Sequence, residues 1–158
     1  IVGINNTNFL KIPATKVNEV PITSLNESLF NFVKETDPSI LLIPFPDRHI
    51  DHRLIFESCL VASRPVNIGK RIKLIASYET LSETHWNANY IEPNFVPDVF
   101  IDITKQYKFK EKALMKYSSQ ITNNKARNKQ AIKGLASFRG SQNNKDFCEA
   151  FKLIRINF

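Results

Sequence analysis

Glycine is scarce in this chain, four residues in 158, and no Gly-rich loop that could cradle a phosphate exists among them. Cysteine is scarcer: Cys59 and Cys148 stand alone. They are far apart and form no Cys-x-x-Cys, which excludes a disulfide framework and a cysteine zinc finger and predicts two free, buried thiols in a reducing cytoplasm. No apolar run is long enough to span a membrane, and no signal-peptide pattern is present. The chain opens on Ile1 and its one methionine is Met115, so the opening reads as a cut or processed end and the lack of a leader carries little weight. Acidic residues are outnumbered, giving a net charge of +7. That balance admits an anionic partner. However, the basic residues are spread from Lys105 to Lys133 among apolar positions with helical spacing, with no RNA-binding aromatic motif beside them. They read as a solvated surface, with no nucleic-acid partner and no membrane partner expected.

What remains is ordinary for a soluble globular domain: 42% hydrophobic and 23% charged residues, enough for one core and a single domain over 1–158. Phe9-Leu10-Lys11-Ile12 reads as a short strand stopped by Pro13. Ser24-Leu25-Asn26-Glu27 has capping-box spacing, and Leu25, Leu29, Phe32 and Val33 continue as a helix until Asp37-Pro38. Ser39 to Ile43 is a continuous apolar run, predicted to be a strand buried on both faces. It ends in Pro44-Phe45-Pro46; the polar segment 47–53 follows as a loop, and then a helix over Leu54–Ala62. Ile72–Ala76 reads as a second buried strand, 79–97 as a long irregular loop, and Asp98–Ile103 as a strand. Tyr107–Ile121 and Asn128–Phe138 read as helices, the second stopped by Arg139-Gly140-Ser141 with Gly140 as a left-handed cap. Glu149–Ile156 fits helix or strand. Strands alternating with helices predict an α/β fold with a mostly parallel sheet.

Two of the three histidines, His49 and His52, flank Asp51, with Arg48 and Arg53 on either side. Imidazole is the commonest protein metal ligand, and a catalytic zinc needs three protein ligands and an open position. The plainer reading is a polar turn capping the next helix, and spacing alone does not choose between them. Position favours the site: in open α/β sheets ligands gather at the carboxyl ends of the strands. Glu79 and, less strongly, Tyr78 end the next strand and could line the same cleft. Arg53 reads as pairing with acids, and His85 as a loop residue bonding locally beside Trp86. No Ser-His-Asp set can be ordered.

Pro46-Asp47-Arg48-His49-Ile50-Asp51-His52-Arg53 resembles the second signature of the LmbE-like (PIG-L) deacetylases. Tyr78-Glu79-Thr80-Leu81-Ser82-Glu83-Thr84 resembles the segment after the next strand in bacterial sugar-deacetylase members. Phe138-Arg139-Gly140-Ser141-Gln142, with Glu149-Ala150-Phe151, resembles their C-terminal ending. The resemblance implies a Rossmann-like three-layer α/β/α fold with N-terminal strand(s) missing, a Zn2+ cofactor and hydrolysis of an acetamide on an N-acetylglucosamine-type conjugate. It also implies a small-molecule amino-sugar substrate and homo-oligomers, trimers or hexamers. By resemblance His52 is a metal ligand, His49 polarises the substrate carbonyl, and Asp51 tunes His49; Arg48, Tyr78 and Glu79 are candidate substrate contacts. The family's other two ligands and its general base lie in an Ala-His-Pro-Asp-Asp-Glu segment that occurs nowhere in these residues. An N-terminal part lying outside them is the favoured explanation; a metal-free relative acting as a sugar or protein binding domain is the alternative.

Overall fold

The computed structural model describes residues 3–121 and 124–158; the opening at Ile1 lies outside the described residues. The chain groups into two compact units. One comprises Leu10–Val96 and Phe151–Phe158, and the other joins the segment through Phe9 to Pro97–Ala150.

In the first unit α1 (Ile22–Thr36) is followed by β1 (Ile40–Pro44), α2 (Ile50–Ala62) and β2 (Leu74–Tyr78). α1 forms because Leu25, Leu29 and Val33 repeat on one face, and Leu25 and Val33 are buried. It ends where Asp37 takes a left-handed conformation, φ 42°, a region aspartate tolerates, just before Pro38. Its start differs from expectation. The helix begins at Ile22 with Pro21 at the N-cap and no side-chain cap, so Ser24 lies inside the first turn and the capping box does not form. The expected strand at Phe9–Ile12 does not form either. Lys11 has φ 57°, which breaks an extended run, and Phe9 and Leu10 are exposed.

β1 and β2 pair in parallel, from Ile40 with Leu74 to Pro44 with Tyr78. One face of the pair, carrying Leu41, Ile43 and Ile75, packs with Val33 of α1 and Cys59 and Ala62 of α2 into the core. The other face of β1 is open: Ile40 is 58% and Leu42 47% exposed, so β1 is not buried on both sides as expected. Parallel pairing needs a crossover, and α2 supplies it.

β4 (Cys148–Ile156) resolves the ambiguous C-terminal segment as a strand. It runs antiparallel to β2, with Tyr78 opposite Phe151 and a register shift between Ile75 and Ala76. The strands are hydrogen-bonded in the order β1-β2-β4-β3, where β3 is Val99–Asp102. The α/β class is as expected, while the parallel character is carried by β1 and β2 and gives way at β4.

In the second unit the helix expected over 107–121 divides into α3 (Tyr107–Leu114) and α4 (Ser118–Ile121). Tyr107 anchors α3 by stacking on Phe147 at 4.1 Å. Tyr117, between the helices, is largely exposed and offers no comparable anchor. α5 (Lys129–Ser141) is capped by Asn128, whose side chain accepts from the Ala131 amide. It runs through Gly140, which is helical rather than a left-handed cap. A Cβ there would meet the Lys145 carbonyl at 2.5 Å, so glycine permits the close return of the 143–146 turn. Cys59 and Cys148 are free and buried. Among the described residues no helix is long and apolar enough to cross a membrane.

Candidate functional site

The parallel strands β1 and β2 end side by side, with the Phe45 amide donating to the Tyr78 carbonyl at 2.9 Å. Beyond Pro46 the chain turns directly into α2. The helix begins at Ile50, with His49 as its N-cap, four residues earlier than the sequence suggests. His52 therefore lies in the first helical turn rather than in a loop. The imidazoles of His49 and His52 stack, with centroids 4.7 Å apart and planes at 22°.

Asp47 organises this corner. Its side chain is fully enclosed. One carboxylate oxygen, Oδ1, accepts from the His49 amide at 3.0 Å and lies 2.8 Å from His52 Nδ1. Oδ2 accepts from the Thr84 hydroxyl at 2.8 Å. Burial pushes the Asp47 pKa up, but the bonds from His52, the His49 amide and Thr84 together outweigh it and hold it below its ordinary value. An ionised carboxylate only accepts, so His52 donates through Nδ1–H, which in the neutral ring leaves the lone pair on Nε2. That is the tautomer of a histidine metal ligand with its outer carboxylate in place.

His49 has the opposite arrangement. Its Nδ1 accepts from the Asp51 amide at 3.2 Å, which places the proton of the neutral ring on Nε2 as a donor. The Asp51 carboxylate is 3.9 Å from His49 Nδ1, beyond hydrogen-bond reach. Its oxygens accept from the backbone amides of Thr15, at 2.7 Å, and Val17, at 3.2 Å. The contact this geometry gives Asp51 is with the segment before α1.

The other sequence candidates are drawn in to different degrees. Arg48 reaches Glu92 at 3.4 Å and Arg53 reaches the same carboxylate at 3.7 Å. Glu92 makes a shorter bond with the Ala88 amide, 2.9 Å. That backbone bond leads in holding its carboxyl below the usual range; desolvation opposes it, and Arg48 and Arg53 add to the lowering. Tyr78 ends β2, and its phenol pKa is raised by burial and by Cys59 and Asp47. The Glu79 side chain is 5% exposed and its carboxylate lies 3.2 Å from His85 Nε2, the local bonding expected of His85. Two surface clefts of about 740 and 480 Å3 are lined by residues of the other unit. No predicted site residue lines either, so donor chemistry rather than cavity size marks the histidine corner.

Sequence reasoning passed over two residues. Asp47 stands inside the signature-like segment 46–53, but the sequence reading gave it no role. Thr84 closes the Tyr78–Thr84 segment that carries the resemblance and lies in a long loop, which in a compact domain is often functional, but its spacing assigned it no role. Among the described residues no group of three or more His, Cys, Asp or Glu side chains is placed to hold a metal ion. What is present fits one corner of a zinc site: a histidine with a free Nε2 and a buried carboxylate behind it.

No family model and no curated protein matches the sequence. Among solved structures the chain is similar to the conserved protein TT1542 from Thermus thermophilus, with a TM-score of 0.67 and 20% identity over 88% of this chain. It is also similar to the N,N'-diacetylchitobiose deacetylase from Pyrococcus horikoshii, with a TM-score of 0.59 and 18% identity over 86% of this chain. The fold is LmbE-like. The chain spans 61% of the first neighbour and 53% of the second. At these identities the likeness establishes the fold, and the chemistry must be argued from the residues.

Proposed function

We propose that this chain is part of a zinc-dependent N-deacetylase acting on an N-acetylglucosamine-type sugar conjugate in the cytoplasm. The observation that supports it is the Asp47–His52 pair at 2.8 Å, which prepares Nε2 of His52 as a metal ligand at the end of a parallel strand. The deacetylase among the structural neighbours is the second support. The remaining ligands and the general base are proposed to come from residues outside these 158.

A bound zinc supplies a hydroxide nucleophile near neutral pH, because it lowers the pKa of water to about 7. This chain's residues do the rest of the work described here. Asp47 holds His52 in the ligating tautomer and stays ionised to do so. His49 presents Nε2–H to the acetyl oxygen as negative charge develops on it, and removing one such donor typically costs roughly 100–1,000-fold in rate. Arg48, Tyr78 and Glu79 are proposed to contact the sugar.

The intact protein should carry about one zinc per subunit. His52→Ala should lose the metal, whereas His49→Ala should keep it and lose turnover on an N-acetylated amino sugar by roughly 100–1,000-fold. Unchanged zinc content and activity in His52→Ala would remove the assignment. An intact protein that binds the acetylated sugar without zinc and without releasing acetate would instead be a binding domain on the same fold.

A further inference from the structure

The bond from Thr84 to Asp47 spans 37 positions of sequence and joins the loop after β2 to the histidine corner. Both side chains are buried, Asp47 at 1% and Thr84 at 5% exposure. A turn over 80–84 holds the threonine. The Thr80 amide donates to Thr84 Oγ1 at 2.8 Å, and the Thr84 amide donates back to the Thr80 carbonyl at 3.1 Å. Ser82, with φ 74°, lets the chain close this turn. Its carbonyl then accepts from the His85 and Trp86 amides at 3.1 and 2.9 Å.

This arrangement fixes the direction of one proton. Thr84 Oγ1 already accepts from Thr80, so its own hydrogen is free to donate, and it faces Asp47 Oδ2. A carboxylate can rotate about its Cβ–Cγ bond. With Oδ2 held by Thr84, Oδ1 stays aimed at His52 Nδ1 and at the His49 amide. The donor is neutral, so it orients Asp47 without competing for its charge as a cation would. Threonine's branched Cβ further restricts the hydroxyl to few rotamers.

We infer that Thr84 is a positioning residue which, through Asp47, sets the tautomer and orientation of His52. The inference rests on reading His52 as a metal ligand for its purpose, but its test does not. Ring-nitrogen NMR of His52 in the metal-free 158-residue chain, at a pH where the imidazole is neutral, reports the tautomer directly. Wild type should show the proton on Nδ1. Thr84→Val, which keeps the shape and removes the hydroxyl, should move population to the Nε2–H form, and Thr84→Ser should restore it. An unchanged tautomer in a folded Thr84→Val would overturn the inference. So would a shift of equal size in Thr84→Ser, because the methyl rather than the hydroxyl would then be responsible. If Thr84→Val does not fold, the Ser variant and Thr84→Ala carry the same comparison. A wild-type chain with the Nδ1–H tautomer whose intact protein never deacetylates would defeat the proposed function alone.

Discussion

Asp47 and Glu92 both meet side chains or amides of the segment 48–53, and they differ in almost every respect. Asp47 is enclosed and takes hydrogen bonds of 2.8–3.0 Å from His52, Thr84 and the His49 amide. Glu92 lies at the surface and meets Arg48 and Arg53 at 3.4 and 3.7 Å. By formal charge Glu92 has the stronger partners, two guanidinium groups against one imidazole. Yet exposed ion pairs contribute little because water competes for both ions, whereas a buried acceptor with short donors cannot be removed without stranding each of them. Both acids are held below their ordinary pKa, Asp47 in spite of burial and Glu92 chiefly by a backbone amide. A similar direction of shift thus hides different energetics.

The largest break in this comparison should come from Asp47→Ala. It strands the Thr84 hydroxyl, the His49 amide and His52 Nδ1, and should cost about 3 kcal/mol in urea unfolding; a loss below about 1 kcal/mol would mean that water replaces the carboxylate freely. The acid limb should respond next. A carboxyl whose folded pKa is depressed stabilises fully above its unfolded value, near 3.8 for Asp47, and that contribution disappears as pH falls through the folded pKa. Asp47→Asn should therefore flatten the loss of stability below about pH 4, measured by denaturant midpoints against pH. Asp51 offers an intermediate case, since its oxygens accept from the Thr15 and Val17 amides. Asp51→Asn should cost about 1 kcal/mol and speed hydrogen exchange at those two amides while leaving the Asp47 bonds intact. Glu92→Gln should be the smallest change, with no measurable shift in the unfolding midpoint at neutral pH and a flattening of the acid limb slighter than that of Asp47→Asn. Raising the salt concentration should likewise weaken only the Glu92 pairs.

The parts legible in the sequence were those where one period or one punctuation mark dominates. Ile40 to Ile43 is a bare apolar run ending in Pro-Phe-Pro, and the site follows directly. The Leu25–Leu29–Val33 repeat names its helix, and Pro38 ends it. Ser24-x-x-Glu27 misled because the same spacing occurs inside a helix, and Pro21 sets the start a turn earlier. Gly140 misled because a glycine near a helix end serves close packing as well as capping. Glu149–Ile156 was ambiguous because Ala150 and Phe151 are adjacent and both buried, which blurs the alternation of a strand. At the site the histidine pair was visible, but the partition of its hydrogen bonds was not. No local pattern points from Asp47 to Thr84, or from Asp51 to the amides of Thr15 and Val17, because those contacts exist only once the strand ends and loops have met.

β1 has a practical consequence. It is the outermost of the described strands on its side of the sheet, and Ile40 and Leu42 stand exposed on one face. An open strand margin with apolar side chains is a template for a second extended chain. Concentrated solutions of these 158 residues should therefore cluster through Ile40–Pro44, with light scattering rising steeply with concentration. A lysine in place of Leu42 should keep such samples clear. For anyone preparing these 158 residues by themselves, solubility will be decided at this strand rather than at the histidines.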